Sequence, residues 1–95
     1  GAARLMLTIK PTTKFQKDVK RAQKRGYDMA LLTEIIKQLA AEEPLPAKNR
    51  DHALSGNFAG CRECHIAPDW LLIYAIEDEE LVLYLLRTGT HSDLF

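Results

Sequence analysis

The chain has 95 residues, 46% hydrophobic, 27% charged and 7% aromatic. That is room for one thin-cored domain, and it excludes intrinsic disorder and fibrous repeats. No apolar run approaches the roughly 18–20 residues that cross a bilayer, and nothing reads as a signal peptide, so a cytoplasmic protein without membrane contact is expected. Formal net charge is zero, yet residues 1–50 hold 11 Lys+Arg against 5 Asp+Glu, and residues 51–95 hold 2 against 8. Either the halves pair across the fold or the basic half faces a polyanion.

Residues 1–5 read as a remnant ahead of a native start at Met6, leaving 6–95 as a single domain. Leu7 to Lys10 alternates weakly, a short strand stopped by Pro11. Thr12 or Thr13 can cap a helix over Lys14 to Arg25, with Phe15, Val19 and Ala22 on its apolar face. Lys17, Lys20, Arg21 and Lys24 form a second, cationic stripe. Such a stripe is commonly a solvated face, but it also suits nucleic-acid phosphates. Gly26 ends this helix, and Asp28 caps another to about Glu43, with Leu32, Ile35, Ile36 and Leu39 at i, i+3, i+4 and i+7. Pro44 and Pro46 end it and open an irregular stretch.

From Cys61 the period changes from 3.6 to 2. Cys61–Ile66, Leu71–Ile76 and Leu81–Arg87 read as strands, with the acidic run Glu77–Glu80 as a hairpin turn. Strict alternation puts Leu81, Leu83, Leu85 and Arg87 on one face of the last strand. The expected fold is α+β, in the order β-α-α-β-β-β: a helix hairpin packed on a small antiparallel sheet.

Cys61 and Cys64 form a lone C-x-x-C. On a strand, an offset of three sends the two thiols to opposite faces, which suits neither one metal nor a redox pair. Two ordinary, partly buried thiols are expected. The chemistry lies elsewhere, at His52, His65 and His91, each beside polar groups at strand ends. Histidines there suit proton transfer on a phosphate ester. Arg87 has the fork that neutralises a phosphate developing charge, and Trp70 and Phe95 offer faces for an unstacked base. No Gly-rich phosphate loop, H-E-x-x-H or carboxylate cluster for Mg²⁺ stands in the chain. The inventory fits an RNase that needs no metal or other cofactor.

Four segments carry a resemblance. They are Lys17-Asp18-Val19-Lys20-Arg21-Ala22-Gln23-Lys24-Arg25-Gly26, Asp51-His52-Ala53-Leu54-Ser55-Gly56-Asn57, the run from Gly60 to Tyr74, and Arg87-Thr88-Gly89-Thr90-His91-Ser92-Asp93-Leu94-Phe95. Together they resemble the YafQ-type toxins of bacterial toxin–antitoxin pairs, within the RelE/ParE superfamily, over roughly residues 7–95. The resemblance implies the small RelE-like α+β fold and a ribosome-dependent endoribonuclease that cuts mRNA in the decoding site. It also implies roles. His52, His65, Asp69 and His91 are the proton-handling set, with His91 as general acid and the base left open among Asp69, His52 and His65. Arg87 is the transition-state phosphate contact, and Trp70 and Phe95 hold substrate nucleotides. Lys17, Lys20, Arg21 and Lys24 would dock on ribosomal RNA, an inference from charge. Ala53, Ala67 and Cys61 depart from residues common among relatives, without removing a proposed catalytic group.

The resemblance further implies a cognate antitoxin whose C-terminal segment wraps the toxin and whose N-terminal dimer binds operator DNA, in a 2:2 complex. Two competing readings are a gyrase-directed toxin of the ParE branch, which lacks the histidine set, and a plain RNA- or partner-binding module.

Overall fold

The computed structural model describes residues 6–95; the remnant expected at residues 1–5 lies outside the described residues. Strand β1 (Thr8–Pro11) leads into helix α1 (Thr13–Lys24). Thr12 is the N-cap: its hydroxyl oxygen accepts from the Phe15 N–H at 3.0 Å and its O–H donates to the Leu86 carbonyl at 2.9 Å. One side chain therefore both starts the helix and ties it to the last strand. Gly26, at φ +78°, turns the chain toward α2 (Met29–Ala40), capped by Asp28. That helix stops before the expected Glu43, because Glu42 adopts a left-handed conformation at φ 57°.

A 3₁₀ turn (Ala47–Asn49) precedes a two-residue strand β2 (His52–Ala53) in what reads as loop from sequence. A second 3₁₀ turn (Gly56–Phe58) leads to β3 (Arg62–Ala67), β4 (Trp70–Glu77), β5 (Val82–Gly89) and a terminal turn of helix, α3 (His91–Leu94). The sheet order is β1-β5-β4-β3-β2. The α+β class and the β-α-α-β-β-β succession are as expected, with β2 and the terminal α3 added. The sheet, however, is mixed: β1 runs parallel to β5, from Thr8–Val82 to Pro11–Leu85. The helix hairpin carries the chain from β1 to β2 at the opposite edge, and three successive antiparallel pairings, β2 with β3, β3 with β4 and β4 with β5, then bring β5 back beside β1 in the same direction. Leu81 is a second departure. It is exposed, at φ 57°, and belongs to the turn rather than to β5.

The third departure matters most for function. Between β4 and β5 the register jumps from Tyr74–Leu85 to Ile73–Arg87, leaving Leu86 as a bulge. The bulge inverts the alternation, so Arg87 leaves the Leu83–Leu85 face and comes into register with Ile73. Two hydrophobic clusters flank the sheet. The larger unites Phe15, Leu32, Ile35 and Leu39 of the helices with Cys64, Leu72, Leu83 and Leu85 of the strands. The smaller holds Leu71, Ile73 and Leu94, with Leu54, Phe58, Cys61 and Leu86 packed against it. Cys64 and Cys61 thus belong to different clusters, as their spacing requires. Burial, with Asp51 and Glu63 nearby, pushes the Cys64 thiol up to about 12, far from a reactive thiolate.

Candidate active site

On β3, Glu63 and His65 stand two apart and share a face; their register partners, Ile73 and Leu71, are buried in the smaller cluster. Helix α3 lies over the same face, with Leu94 buried in that cluster. Its start is fixed by a capping box: the Thr90 hydroxyl accepts from the Asp93 N–H, and the Asp93 carboxylate accepts from the Thr90 N–H. Arg25 of α1 reaches Asp93 with two nitrogens, at 2.7 and 3.1 Å. Arg25 first, and the Thr90 N–H next, hold the Asp93 carboxyl well below the usual range.

This anchoring delivers His91. Its Nδ1 lies 2.7 Å from Asp69 Oδ1, and the His91 backbone N–H donates to the same oxygen at 3.0 Å. A carboxylate can only accept, so Nδ1 carries the proton and Nε2 is left clear of that contact. The His91 backbone N–H, then its ring, lower the Asp69 carboxyl from its ordinary value. The His65 ring lies edge-on to the His91 ring, centroids 5.8 Å apart. Glu63 Oε1 sits 3.9 Å from His65 Nε2 and 3.5 Å from His52 Nε2, while His52 Nδ1 donates to the Arg50 carbonyl at 2.6 Å. His52, His65, Asp69 and His91 are therefore brought together, with the buried Glu63 carboxylate between two of the imidazoles.

Arg87 is held at the open edge of β5. Beyond Pro11 no strand among the described residues covers that edge, and Asp18 of α1 takes its place. The Asp18 carboxylate accepts from the Thr88 N–H at 3.1 Å and from Arg87 Nε and Nη2 at 2.7 and 3.1 Å. This grip raises the Arg87 guanidinium above its ordinary value. The Arg87 side chain remains 24% exposed, so part of its fork can meet an anion.

Two expected contacts change character. Trp70 is only 4% exposed, and its Nε1–H donates to the Thr88 hydroxyl at 2.9 Å. A ring so covered, with Tyr27 packed 5.0 Å away, supports the wall behind Asp69 instead of offering a stacking face. Arg21 donates to Asp18 at 2.9 Å and lies 4.0 Å from Asp93, which turns it inward from the stripe. Lys17, Lys20 and Lys24 stay exposed, and none has a carboxylate partner among the described residues. Phe95 is 64% exposed, edge-on to Phe58.

Sequence reasoning missed Glu63 and Asp18. Glu63 was legible as a charged residue alternating with His65 on a largely apolar strand. Asp18 looked like one more exposed helix residue, and only the packing against β5 reveals it. The described residues also include a possible ligand set absent from the expectations: donor atoms of Glu63, His65 and His91 lie within 4.8 Å of one another. Imidazole with carboxylate suits a copper- or zinc-type ion.

A profile of the bacterial toxin YafQ of type II toxin–antitoxin systems matches residues 7–95. The chain belongs to the YafQ toxin family. It is 44% identical over 88 residues to the mRNA interferase toxin YafQ of Escherichia coli, covering 92% of this chain and 94% of that one. A metal-bound toxin from Helicobacter pylori superposes with a TM-score of 0.90 at 48% identity, over 95% of this chain and 100% of that one. The YafQ subunit of the E. coli DinJ–YafQ toxin–antitoxin complex gives 0.86 at 43%, over 95% and 98%. The α+β fold described above is that of the solved YafQ structures.

Proposed function

We propose that this YafQ-family mRNA interferase cuts mRNA in the ribosomal A site by metal-independent acid–base catalysis, with the RNA's own 2′-OH as nucleophile. The observation that carries this reading is the Asp69-bound His91 facing His65 across 5.8 Å between ring centroids. A phosphodiester seated there has a proton donor on one side and a proton acceptor on the other.

His91, its Nδ1–H committed to Asp69, acts as the imidazolium and presents its Nε2–H to the 5′-oxygen leaving group. Asp69, held low by the His91 backbone N–H, is a weak base and acts by orienting the imidazole. His65 takes the proton of the 2′-OH, with Glu63 positioned to stabilise the imidazolium that results. The 2′-oxygen attacks phosphorus, the P–O5′ bond breaks, and His91 gives its proton to the departing oxygen. The products are a 2′,3′-cyclic phosphate and a 5′-OH. Each proton-transfer group is worth about 10²–10⁴ in rate. His52 faces the same Glu63 carboxylate from the other side and assists the base. Arg87, steadied by Asp18, meets the charge that develops on the phosphate. Phe95 stacks on a substrate base, while Trp70 acts through the packing under Asp69.

Residues 6–95 form the single toxin domain, working in the cytoplasm. Lys17, Lys20 and Lys24 dock on ribosomal RNA, with Arg21 steadying their helix. A cognate antitoxin neutralises the toxin in a 2:2 complex that binds operator DNA through the antitoxin; the DinJ-bound relative supports such a partner. The test is an mRNA carrying one 2′-deoxynucleotide at the cleaved position, presented on programmed ribosomes in excess EDTA. The ribose substrate should be cut and the deoxy substrate spared. Cutting of both would overturn the 2′-OH mechanism, and loss of all cutting in EDTA would overturn metal independence.

A further inference from the structure

Beside His65 opens a cavity of about 490 Å³ lined by Lys48, Asn49 and Arg50 on one side and by His65 through Pro68 on the other. Nothing in the mechanism above uses its two cations. Neither Lys48 nor Arg50 has an acidic partner among the described residues, and both are exposed. The wall that carries them is nevertheless built with care. Asn49 is buried, and its amide donates to the His65 carbonyl at 2.7 Å. Arg50 holds a left-handed backbone at φ 47°, strained for a residue with a side chain, and its carbonyl accepts from His52. The same short turn thus pins the backbone of His65 and the imidazole of His52, and presents two positive charges beside the residue that faces the 2′-OH.

We propose that this cavity is the subsite for the RNA phosphate on the 5′ side of the cleaved nucleotide. The direction follows from the chemistry. His91 serves the 5′-oxygen of the departing nucleotide, so the strand continues 3′ past His91 and Asp69. His65 serves the 2′-OH of the retained nucleotide, so the next phosphate upstream reaches the His65 side, where Lys48 and Arg50 stand. A phosphodiester there satisfies both cations and locks the retained ribose against His65. The inference rests on the acid–base assignment above.

The test is a coupling experiment. Ribosome-bound mRNA is prepared with a neutral methylphosphonate at the phosphate 5′ of the cleaved nucleotide, or at the phosphate one nucleotide beyond the cut. It is treated with the wild-type chain and with K48Q/R50Q, whose changes remove charge at exposed positions and keep side-chain length. On unmodified mRNA the double variant should lose about 10–100-fold in kcat/KM, and the slope of log(kcat/KM) against log[salt] should shrink by about 1.4 for two contacts. The upstream methylphosphonate should cost the wild type a similar factor and the variant almost nothing, while the downstream one should cost both alike. Equal losses for both proteins at the upstream position, or a variant as active as wild type, would overturn the subsite. A wild-type chain that cuts no ribosome-bound mRNA would instead overturn the nuclease reading on which it rests.

Discussion

Asp18 and Arg87, 69 residues apart, form a two-toothed contact in which the guanidinium gives Nε and Nη2 to the two carboxylate oxygens at 2.7 and 3.1 Å. Asp18 is buried, and it also takes the Thr88 N–H on an edge that no strand covers. The pair therefore closes the sheet and aims Arg87 at once. Asp18→Asn should cost about 3 kcal/mol in urea unfolding, since one partner of a largely buried pair is lost. It should also lower kcat roughly 10–100-fold through a misplaced Arg87, with little change in KM. An Asn variant destabilised but fully active would show that Asp18 serves the fold alone.

Asp69 and His91 are both more than half exposed, so their bond works by orientation more than by charge. Asp69→Asn should reduce cleavage about 10–100-fold, less than the roughly 10⁴-fold seen when a buried triad carboxylate is neutralised. Because the His91 backbone N–H depresses the Asp69 carboxyl, that group is ionised throughout the neutral range. No limb of the wild-type rate profile above about pH 5 should therefore disappear in Asp69→Asn. A lost limb in that window would make Asp69 the base.

Gly89 is where β5 meets α3. A methyl group there would lie 2.9 Å from the Asp93 side chain, inside contact distance. Gly89→Ala should push α3 outward, costing about 1–3 kcal/mol from overpacking. His91 travels with α3, so activity should fall by an order of magnitude or more. Thermal melts and single-turnover cleavage on the same preparation check both effects.

Asp93 supplies an acid-sensitive tie. Arg25 holds its folded-state ionisation below the usual carboxylate range, so the stabilisation is complete above the unfolded value of about 3.9 and fades as pH falls below it. The melting temperatures of wild type and Asp93→Asn should differ by a constant amount above about pH 5, and the gap should narrow progressively as pH falls below about 3.9, closing only near the depressed folded-state value. A gap that widens on acidification would contradict the assignment.

Glu63, His65 and His91 bring their donor atoms within 4.8 Å, and an ion held there would occupy the two imidazoles proposed to move protons. Copper(II) added to the chain should inhibit cleavage, EDTA should restore it, and Glu63→Gln should weaken the inhibition. Copper that binds without slowing cleavage would separate the metal site from the proton-transfer site.

Much of this was legible from the residues. Sequence patterning gave both helices, Asp28 as a cap with Thr12 as one of two candidates for the other, and four of the five strands, missing only β2. The C-x-x-C spacing gave two thiols on opposite faces. What hid was tertiary. The bulge at Leu86 breaks alternation in a segment where both parities are apolar, so no pattern marks it. The parallel pairing of β1 depends on β5 returning beside it after three strand reversals, a long-range pairing that local propensity does not encode. Trp70 looked available to a base because aromatic residues do, and its burial against Thr88 and Tyr27 becomes visible only once the sheet is assembled. The histidines read as chemistry, whereas sequence reasoning missed the carboxylate between them, although its alternation with His65 on an apolar strand marked it.

The central claim is that His91 is the general acid of a ribosome-dependent nuclease. It is tested most directly by primer extension on mRNA from programmed ribosomes treated with the wild-type chain or His91→Ala. Codon-spaced cuts by the wild type, slowed about 10²–10⁴-fold in the variant, are the expected result. Cuts at an undiminished rate in His91→Ala would contradict it.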